Sequence, residues 1–302
     1  MRKVVSVSLG SSTRDHEVEA DFLGQRFSIS RVGTDGDLER AQDLIRRLDG
    51  QVDAIGLGGI DVYLYAAGER YAVRDGLRLL ECARLTPVVD GSGLKNTLER
   101  QAVYFLRDRG LLPPGTKVLM VSAVDRFGMA EALAEVGCEL VCGDLMFAAG
   151  IPYPINGLEE LAKMAKKLLP EMVKLPFHML YPTGKKQEEK AENAAKFAHY
   201  FAEAAVIAGD FHFIKRYSPD QLEGKTVLTN TVTQKDVETL RRQGVAWLVT
   251  TTPELGGRSF GTNVLEAVLV ALLGKRWEEV TTQDYLDLLE RLRLEPRLER
   301  LN

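Results

Sequence analysis

Residues 117–144, KVLMVSAVDRFGMAEALAEVGCELVCGD, decide the fold class. Val118 to Val121 is a short apolar run that suits a strand buried on both faces of a parallel sheet. Gly128 opens a stretch whose apolar residues recur at helical spacing. The stretch ends at Gly137, a residue type that readily takes the left-handed conformation closing a helix. Glu139 to Cys142 reads as the next strand, and Asp144 follows it. Strand, turn, helix and strand in this order form the layout of a dinucleotide-binding unit, in which an acid about 20 positions after the first glycine of the turn meets the ribose. With Ala123 at the first glycine position, Gly128 stands at the third and Asp144 at the acid. Ala123 and Asp125 replace the first two glycines. The unit is therefore read as a Rossmann-type βαβ, with a nicotinamide-nucleotide site and a plain βαβ both open.

Working outward, Arg109-Gly110-Leu111-Leu112-Pro113-Pro114-Gly115 is the clearest break in the chain. Two prolines between glycines cannot continue a helix. Upstream, the pattern predicts strands at Val4 to Leu9, 17–23, 26–32, Asp53 to Leu57 and Pro87 to Asp90, and a hairpin of Val62 to Tyr65 with Arg70 to Val73. Helices are predicted at Asp37 to Leu48 (capped by Thr34 or Asp35), Asp75 to Ala83 and Lys95 to Arg109. Downstream, strands at Ala205 to Ala208, Thr226 to Thr229 and Trp247 to Thr250 alternate with helices. An apolar helix, Val264 to Leu273, and an amphipathic one, Gln283 to Leu294, close the chain. This alternation predicts an α/β protein of two domains with parallel sheets. Residues 1–110 form an N-terminal α/β substrate domain, 116–275 a Rossmann-like nucleotide-binding domain, and 276–302 a helical tail.

A length of 302 residues suits two such domains. The formal net charge of −4, without a long basic tract, argues against nucleic acid as a partner. No apolar run is long enough to cross a membrane. MRKVVSVSLGSS at the start reads as a first strand rather than a signal peptide, so a cytoplasmic location is expected. Cys82, Cys138 and Cys142 cannot all pair, and the last two flank one short strand, so reduced thiols are expected.

In open parallel sheets ligands bind beyond the carboxyl ends of the strands, so the residues at those ends are the ones to search. Gly10 to Thr13 offers backbone N–H groups and hydroxyls to an anion, with Arg14 and His16 beside it. Gly56 to Asp61 is glycine-rich but leads into a hairpin. Its glycines are read as letting a ligand or a neighbouring backbone approach closely. In Asp90 to Thr97, Lys95 lies near a helix start, where the positive end of the helix dipole is expected to lower its pKa. With Asp61 or Asp90 it could handle the proton of a substrate hydroxyl. Asp210 and His212 could both touch a metal, but two ligands make no convincing site, and a polar cleft wall is the better reading. Thr229-Asn230-Thr231 and Thr250-Thr251-Thr252 end two further strands. Gly256 to Asn263 combines flexible backbone, Arg258 and a helix start, which suits a phosphate or carboxylate.

The segments VSLGSSTRDHEVE, IGLGGIDVYL, VVDGSGLKNTLERQ, VLMVSAVDRFGMAEAL, GDLMFAAGIP, IAGDFHFIKRY and TTTPELGGRSFGTNVLEAVLVALLG together resemble a bacterial family labelled quinate 5-dehydrogenase. The resemblance covers nearly the whole chain. It implies NAD(P)-dependent oxidation of a ring hydroxyl, with a substrate domain preceding a Rossmann domain and a Lys and an Asp acting in the former. The chain departs from shikimate dehydrogenases in lacking their SKSPxxHN and NVTxPxK segments and their glycine-rich cofactor turn. Gly93 to Thr97 echoes their GAxNT only loosely, so Lys95 is a candidate from local chemistry alone.

The resulting expectation is an NAD(P)-dependent oxidoreductase acting on a quinate- or shikimate-like hydroxy acid. Lys95, Asp61 and Asp90 would be catalytic. Ser11, Ser12, Thr13, Arg14, His16 and Asn96 would bind an anionic small-molecule substrate. Ser122, Asp125, Arg126, Gly128, Asp144, Thr251, Arg258, Ser259, Thr262 and Asn263 would bind the cofactor. NAD is favoured over NADP, because a carboxylate at Asp144 would repel a 2′-phosphate. Two alternatives belong to other classes: a two-domain protein that binds an anionic metabolite or a nucleotide without redox activity, and a non-redox lyase using Asp15, His16, Asp210 and His212. No metal is expected, and a homo-oligomer stays open.

Overall fold

The structure, a computed structural model, describes residues 1–180, 190–252, 261–275 and 277–302, with the backbone alone at 254–255 and 258–259. In chain order the first part holds β1 (Arg2–Ser8), β2 (His16–Phe22), β3 (Gln25–Gly33), α1 (Leu38–Leu48), β4 (Ala54–Gly58), the hairpin β5 (Tyr63–Ala66) and β6 (Glu69–Ala72), α2 (Arg74–Leu80), β7 (Val88–Val89) and α3 (Ser92–Asp108). Next come β8 (Lys117–Met120), α4 (Phe127–Glu135), β9 (Glu139–Cys142), α5 (Asp144–Ala149), β10 (Ile155–Asn156), α6 (Gly157–Met172), α7 (Phe177–Leu180) and α8 (Ala198–Glu203). The chain continues through β11 (Val206–Gly209), α9 (Phe211–Tyr217), β12 (Thr226–Thr229), α10 (Gln234–Arg242), β13 (Trp247–Thr250) and the short hairpin β14 (Glu254–Leu255) and β15 (Arg258–Ser259). It ends with α11 (Thr262–Leu273), α12 (Thr282–Leu292) and β16 (Arg297–Arg300).

Two sheets organise these elements. The first has the order β2-β3-β1-β4-β7, parallel except at the β2–β3 pair. The second has the order β10-β9-β8-β11-β12-β13-β16, with a parallel centre and an antiparallel strand at each edge. Two domains of α/β type are thus present, as the alternation of patterns predicts. Residues 117–144 form the expected parallel βαβ, with Val118 opposite Leu140. Edge strand β2 alternates exposed Glu17, Glu19 and Asp21 with half-buried partners, and these charges discourage pairing with another chain. The α1 cap is Asp37, which accepts from the Arg40 amide at 2.9 Å, rather than Thr34 or Asp35.

The expected boundary at residue 275 does not follow the packing. α11 is buried from Val264 to Ala271, and its side chains cluster with Val4, Phe27, Ile29 and Ala54 of the first sheet. A helix this apolar needs cover on nearly every side, and the first sheet, α3 and α12 supply it. The tail is also not wholly helical: β16 returns to the second sheet and pairs with β13. The chain therefore crosses between the units at α3, before α11 and again before β16. The β5–β6 hairpin likewise buries Leu64 and Ala66 in the core of the second unit. Among the described residues, no helix is long and apolar enough to cross a membrane.

Candidate functional site

The carboxyl ends of parallel strands from both sheets open onto one cleft of about 370 Å³. β1 leads to Gly10, Thr13 and Arg14, β4 to Gly58 through Asp61, and β7 to Asp90. From the other wall, β8 leads to Ser122, Asp125 and Arg126, β11 to Asp210, and β12 to Asn230 through Thr233. This is where the end-of-strand rule places a ligand, applied here by two sheets at once.

Three charged groups meet at the cleft floor. Lys95, on the first turn of α3, donates to Asp61 and to Asp125, at 2.8 Å each. Gly91 precedes the helix with a left-handed φ of 94°, which turns the chain so that α3 enters the cleft. The expected Lys95–Asp61 contact is present, and Asp125 joins it. Burial and the adjacent Asp125 charge push the Asp61 carboxyl up to about 7. Asp125 itself is held well below the usual carboxylate range, because Lys95 and Arg126 flank it and outweigh its burial. Lys95 stays charged, since the two carboxylates outweigh its desolvation. The lowered lysine expected from the helix dipole is corrected accordingly.

Beside this cluster lies Arg126, only 3% exposed, in contact with Glu99, itself 1% exposed. Arg126 also reaches Asp210 at 3.2 Å. Asp210 caps α9 through the His212 amide at 2.8 Å and accepts from the Asn230 side chain at 2.9 Å. Its carboxyl is held low, with His212 and Arg126 overcoming burial. At the mouth, Arg14 approaches His212 Nε2 at 3.2 Å, and His16 Nδ1 lies 3.0 Å from the Arg14 carbonyl. Arg31 crosses behind them, donating to Asp15 at 2.7 Å and to the Ser8 hydroxyl at 2.9 Å.

Several expected site residues serve the scaffold instead. Asp90 borders the cleft, but its carboxylate accepts from the Val62, Tyr63 and Ser92 amides and the Ser92 hydroxyl, so it holds the β7 turn. Ser11 caps a short 3₁₀ turn through the Thr13 amide, and the Ser12 amide binds Asp35; neither lines the cleft. Asn96 packs against Gly128 and accepts from Arg100, so both lie where α3 and α4 cross. Thr251 is buried and outside the cleft lining. Asp15 is held by Arg31 and the Gly33 amide, which separates it from the set proposed for a lyase. Thr13, Arg14, His16, Ser122, Thr262 and Asn263 do line the cleft. The side chains of Arg258 and Ser259 lie outside the described residues, as do Gly256 and Gly257. Gly56 performs the close approach expected of it: a Cβ there would stand 2.7 Å from the Asn263 carbonyl oxygen.

The Asp144 expectation fails for a geometric reason. Its carboxylate accepts from the Ala123 amide at 3.1 Å and the Val124 amide at 2.8 Å. These are the backbone donors of the turn that a pyrophosphate would use, so Asp144 closes the turn instead of reaching a ribose. Burial raises its carboxyl to about 6 despite both amides.

A family model described as "Domain of unknown function (DUF8754)" matches residues 93–301. The chain belongs to the DUF8754 family. A second model, "Domain of unknown function (DUF8753)", matches residues 3–90, so the two meet between β7 and α3 of this DUF8754 chain. No curated protein matches it in sequence. Among solved structures, a galactofuranose binding protein superposes with a TM-score of 0.40 and 13% identity, over 97% of this chain and 99% of its own. GanP, a glucose-galactose binding protein from Geobacillus stearothermophilus, gives a TM-score of 0.40 and 9% identity over 99% and 97%. An NAD-dependent malic enzyme from Thermotoga maritima gives 0.35 and 12% over 97% and 84%.

The expectation of an NAD(P)-dependent oxidoreductase of the quinate or shikimate type is corrected at this point. The turn that would seat the cofactor is occupied by its own aspartate.

Sequence reasoning missed Arg31, Ser6, Ser8 and Phe213 in the lining, and Glu99 beneath it. A signal existed for Arg31, a long cation near the carboxyl end of a strand whose Phe27 and Ile29 are buried. Ser6 and Ser8 alternate with Val5 and Val7 on β1, which also marks a polar face. For Glu99 there was none, since a glutamate inside a helix reads as solvated.

Proposed function

We propose that the chain binds a small polar metabolite in the cleft between its two sheets and acts as a binding protein rather than by electron transfer. One observation carries this reading: strand ends of both sheets converge on a single cleft with side chains of Asp, Asn, Arg, Lys, Ser and Thr facing inward. A volume near 370 Å³ suits a metabolite of sugar or hydroxy-acid size with a few waters. Paired groups such as Asp210–Asn230 and Lys95–Asp61 present acceptors and donors side by side, which suits a ligand bearing several hydroxyls.

The test is a thermal-shift screen of monosaccharides, sugar acids, hydroxy acids and sugar phosphates, with hits confirmed by calorimetry. Thr231→Trp, which fills the cleft from a half-buried position, is the control. The expected result is a hit that binds the native chain and is lost in T231W while its fold persists. A screen without hits, or hits that T231W binds equally well, would overturn the reading. So would tight binding of NAD or NADP that T231W abolishes.

A further inference from the structure

Connecting segments alone would let the two units turn against each other, but here the units also trade side chains. From the first unit, the β5–β6 hairpin packs on α4 and α6, and its Leu64 and Ala66 share a buried core with Met129, Leu133 and Leu161. From the second unit, the segment after α6 reaches the other way. Its Phe177 is buried in the core of the first unit with Ile60, Val62 and Leu79. Two hydrogen bonds fasten that segment: the Arg74 amide donates to the Val173 carbonyl at 3.0 Å, and the Phe177 amide donates to the buried Asp75 carboxylate at 3.0 Å.

The two insertions adjoin, because β6 runs directly into α2 and Arg74 and Asp75 open that helix. They also bear on the cleft. A Cβ at Gly76 would stand 2.4 Å from the Asp61 carbonyl oxygen, so α2 lies flush against the segment that carries Asp61. α3 completes the join from within. Leu94 and Leu98 of its first half lie in the core of the first sheet, and Ala102, Val103 and Leu106 of its second half lie in the core of the second unit. Between them Glu99 meets Arg126, a pair buried at the seam. Swinging the units apart would return the apolar side chains to water and separate a buried carboxylate from its cation, and both steps are unfavourable. Sliding is resisted too, since close-packed interiors leave few voids to move into.

We propose that the β5–β6 hairpin and the strap 173–177 are reciprocal clasps that hold the two units at one separation, so that the cleft is preformed and its width fixed. A ligand then enters by the mouth, through movement of side chains alone. The clasps belong to the chain itself and hold whatever the cleft binds.

Distances between spin labels, read by pulsed electron paramagnetic resonance on the intact chain, test this. Exposed Glu39 on α1 and exposed Gln234 on α10 stand on different units, each at a helix start that follows a strand reaching the cleft. Both are replaced by Cys for labelling, in a background where the half-buried Cys82 and Cys138 are replaced by Ala. Lys163→Cys with Gln234→Cys, both on the second unit, is the control for label motion. The expected result is a single distance between the units, with a distribution no wider than the control's. Leu64→Ala combined with Phe177→Ala, its fold verified by circular dichroism, should at least double that width or add a second distance. If the combination unfolds the chain, each substitution alone takes its place in the same comparison. A distribution between the units that is two-peaked or wider than the control's, with both clasps intact, would overturn the inference. So would a folded clasp variant whose distribution matches that of the unaltered clasps.

Discussion

Replacing Asp61 with Asn should stabilise this protein, and the gain should depend on pH in a defined direction. In the fold, Asp61 is 8% exposed, and its carboxyl titrates near 7 instead of the ordinary 3.8. A carboxyl raised on folding binds its proton more tightly in the native state. Stability therefore falls as pH rises from about 4 through about 7, and is level beyond. The displacement of about three pH units, at 1.36 kcal/mol each, sets an upper limit of about 4 kcal/mol on the cost of ionising Asp61. Asn reproduces the neutral acid: its oxygen can still accept from Lys95, and its amide can still face Asp125. Urea denaturation of the native chain and D61N at intervals from pH 5 to 8.5 reads the effect. The difference should grow by about 2 kcal/mol between pH 5 and 7 and then flatten. A difference that does not change with pH, or a D61N less stable than the native chain at pH 8, would refute the reasoning. Because Asp61 and Asp125 titrate as a pair, the midpoint of the transition belongs to both. A residue that opposes folding at working pH yet lines the cleft is what a ligand site that sacrifices stability would contain.

Three other substitutions test the remaining geometry. A Cβ at Gly128 would stand 2.0 Å from Asn96 Oδ1, so Gly128→Ala should lower the urea midpoint by the equivalent of about 1–3 kcal/mol, and adding Asn96→Ala should recover most of it. Asp144→Ala should cost about 1–3 kcal/mol by leaving the Ala123 and Val124 amides without their acceptor, seen as a lower melting temperature. Arg126→Met should destabilise by about 3–5 kcal/mol, because Glu99 and Asp210 lose their buried cation. The double variant E99Q/R126M should regain more than half, measured by the same denaturation.

Much of the fold was legible because its signals are local. The run Val118 to Val121, the helical spacing to Gly137 and the next short strand specify a βαβ without outside help, and the charged alternation of residues 16–22 announces an edge strand. The cleft was legible in part, since it lies where the strands end and those ends can be read off. Two things were hidden, and both are long-range. Nothing in TNVLEAVLVALL says which sheet will cover it, and it covers the one whose strands lie furthest back in the sequence, from Val4 to Val89. Nothing in the spacing of Ala123 and Asp144 says whether the carboxylate faces outward to a ribose or back onto its own turn; 2.8 Å to Val124 answers that. The four-residue strand after α12 is likewise invisible alone, as RLER pairs only because β13 offers an open edge.

The return of α11 to the first sheet has a consequence for how the protein is made. The apolar face formed by Val4, Phe27, Ile29, Ala54 and Val89 is complete early in synthesis, but its cover begins at Val264. At ribosomal speeds of roughly 5–20 residues per second, the nascent chain carries that face bare for roughly 10–35 s. The second unit, whose sheet from β10 to β13 is contiguous in sequence, can fold meanwhile beside an unfinished neighbour. Holdase chaperones would find their target on the first ninety residues, and a truncation before α11 should yield aggregates rather than a smaller soluble protein.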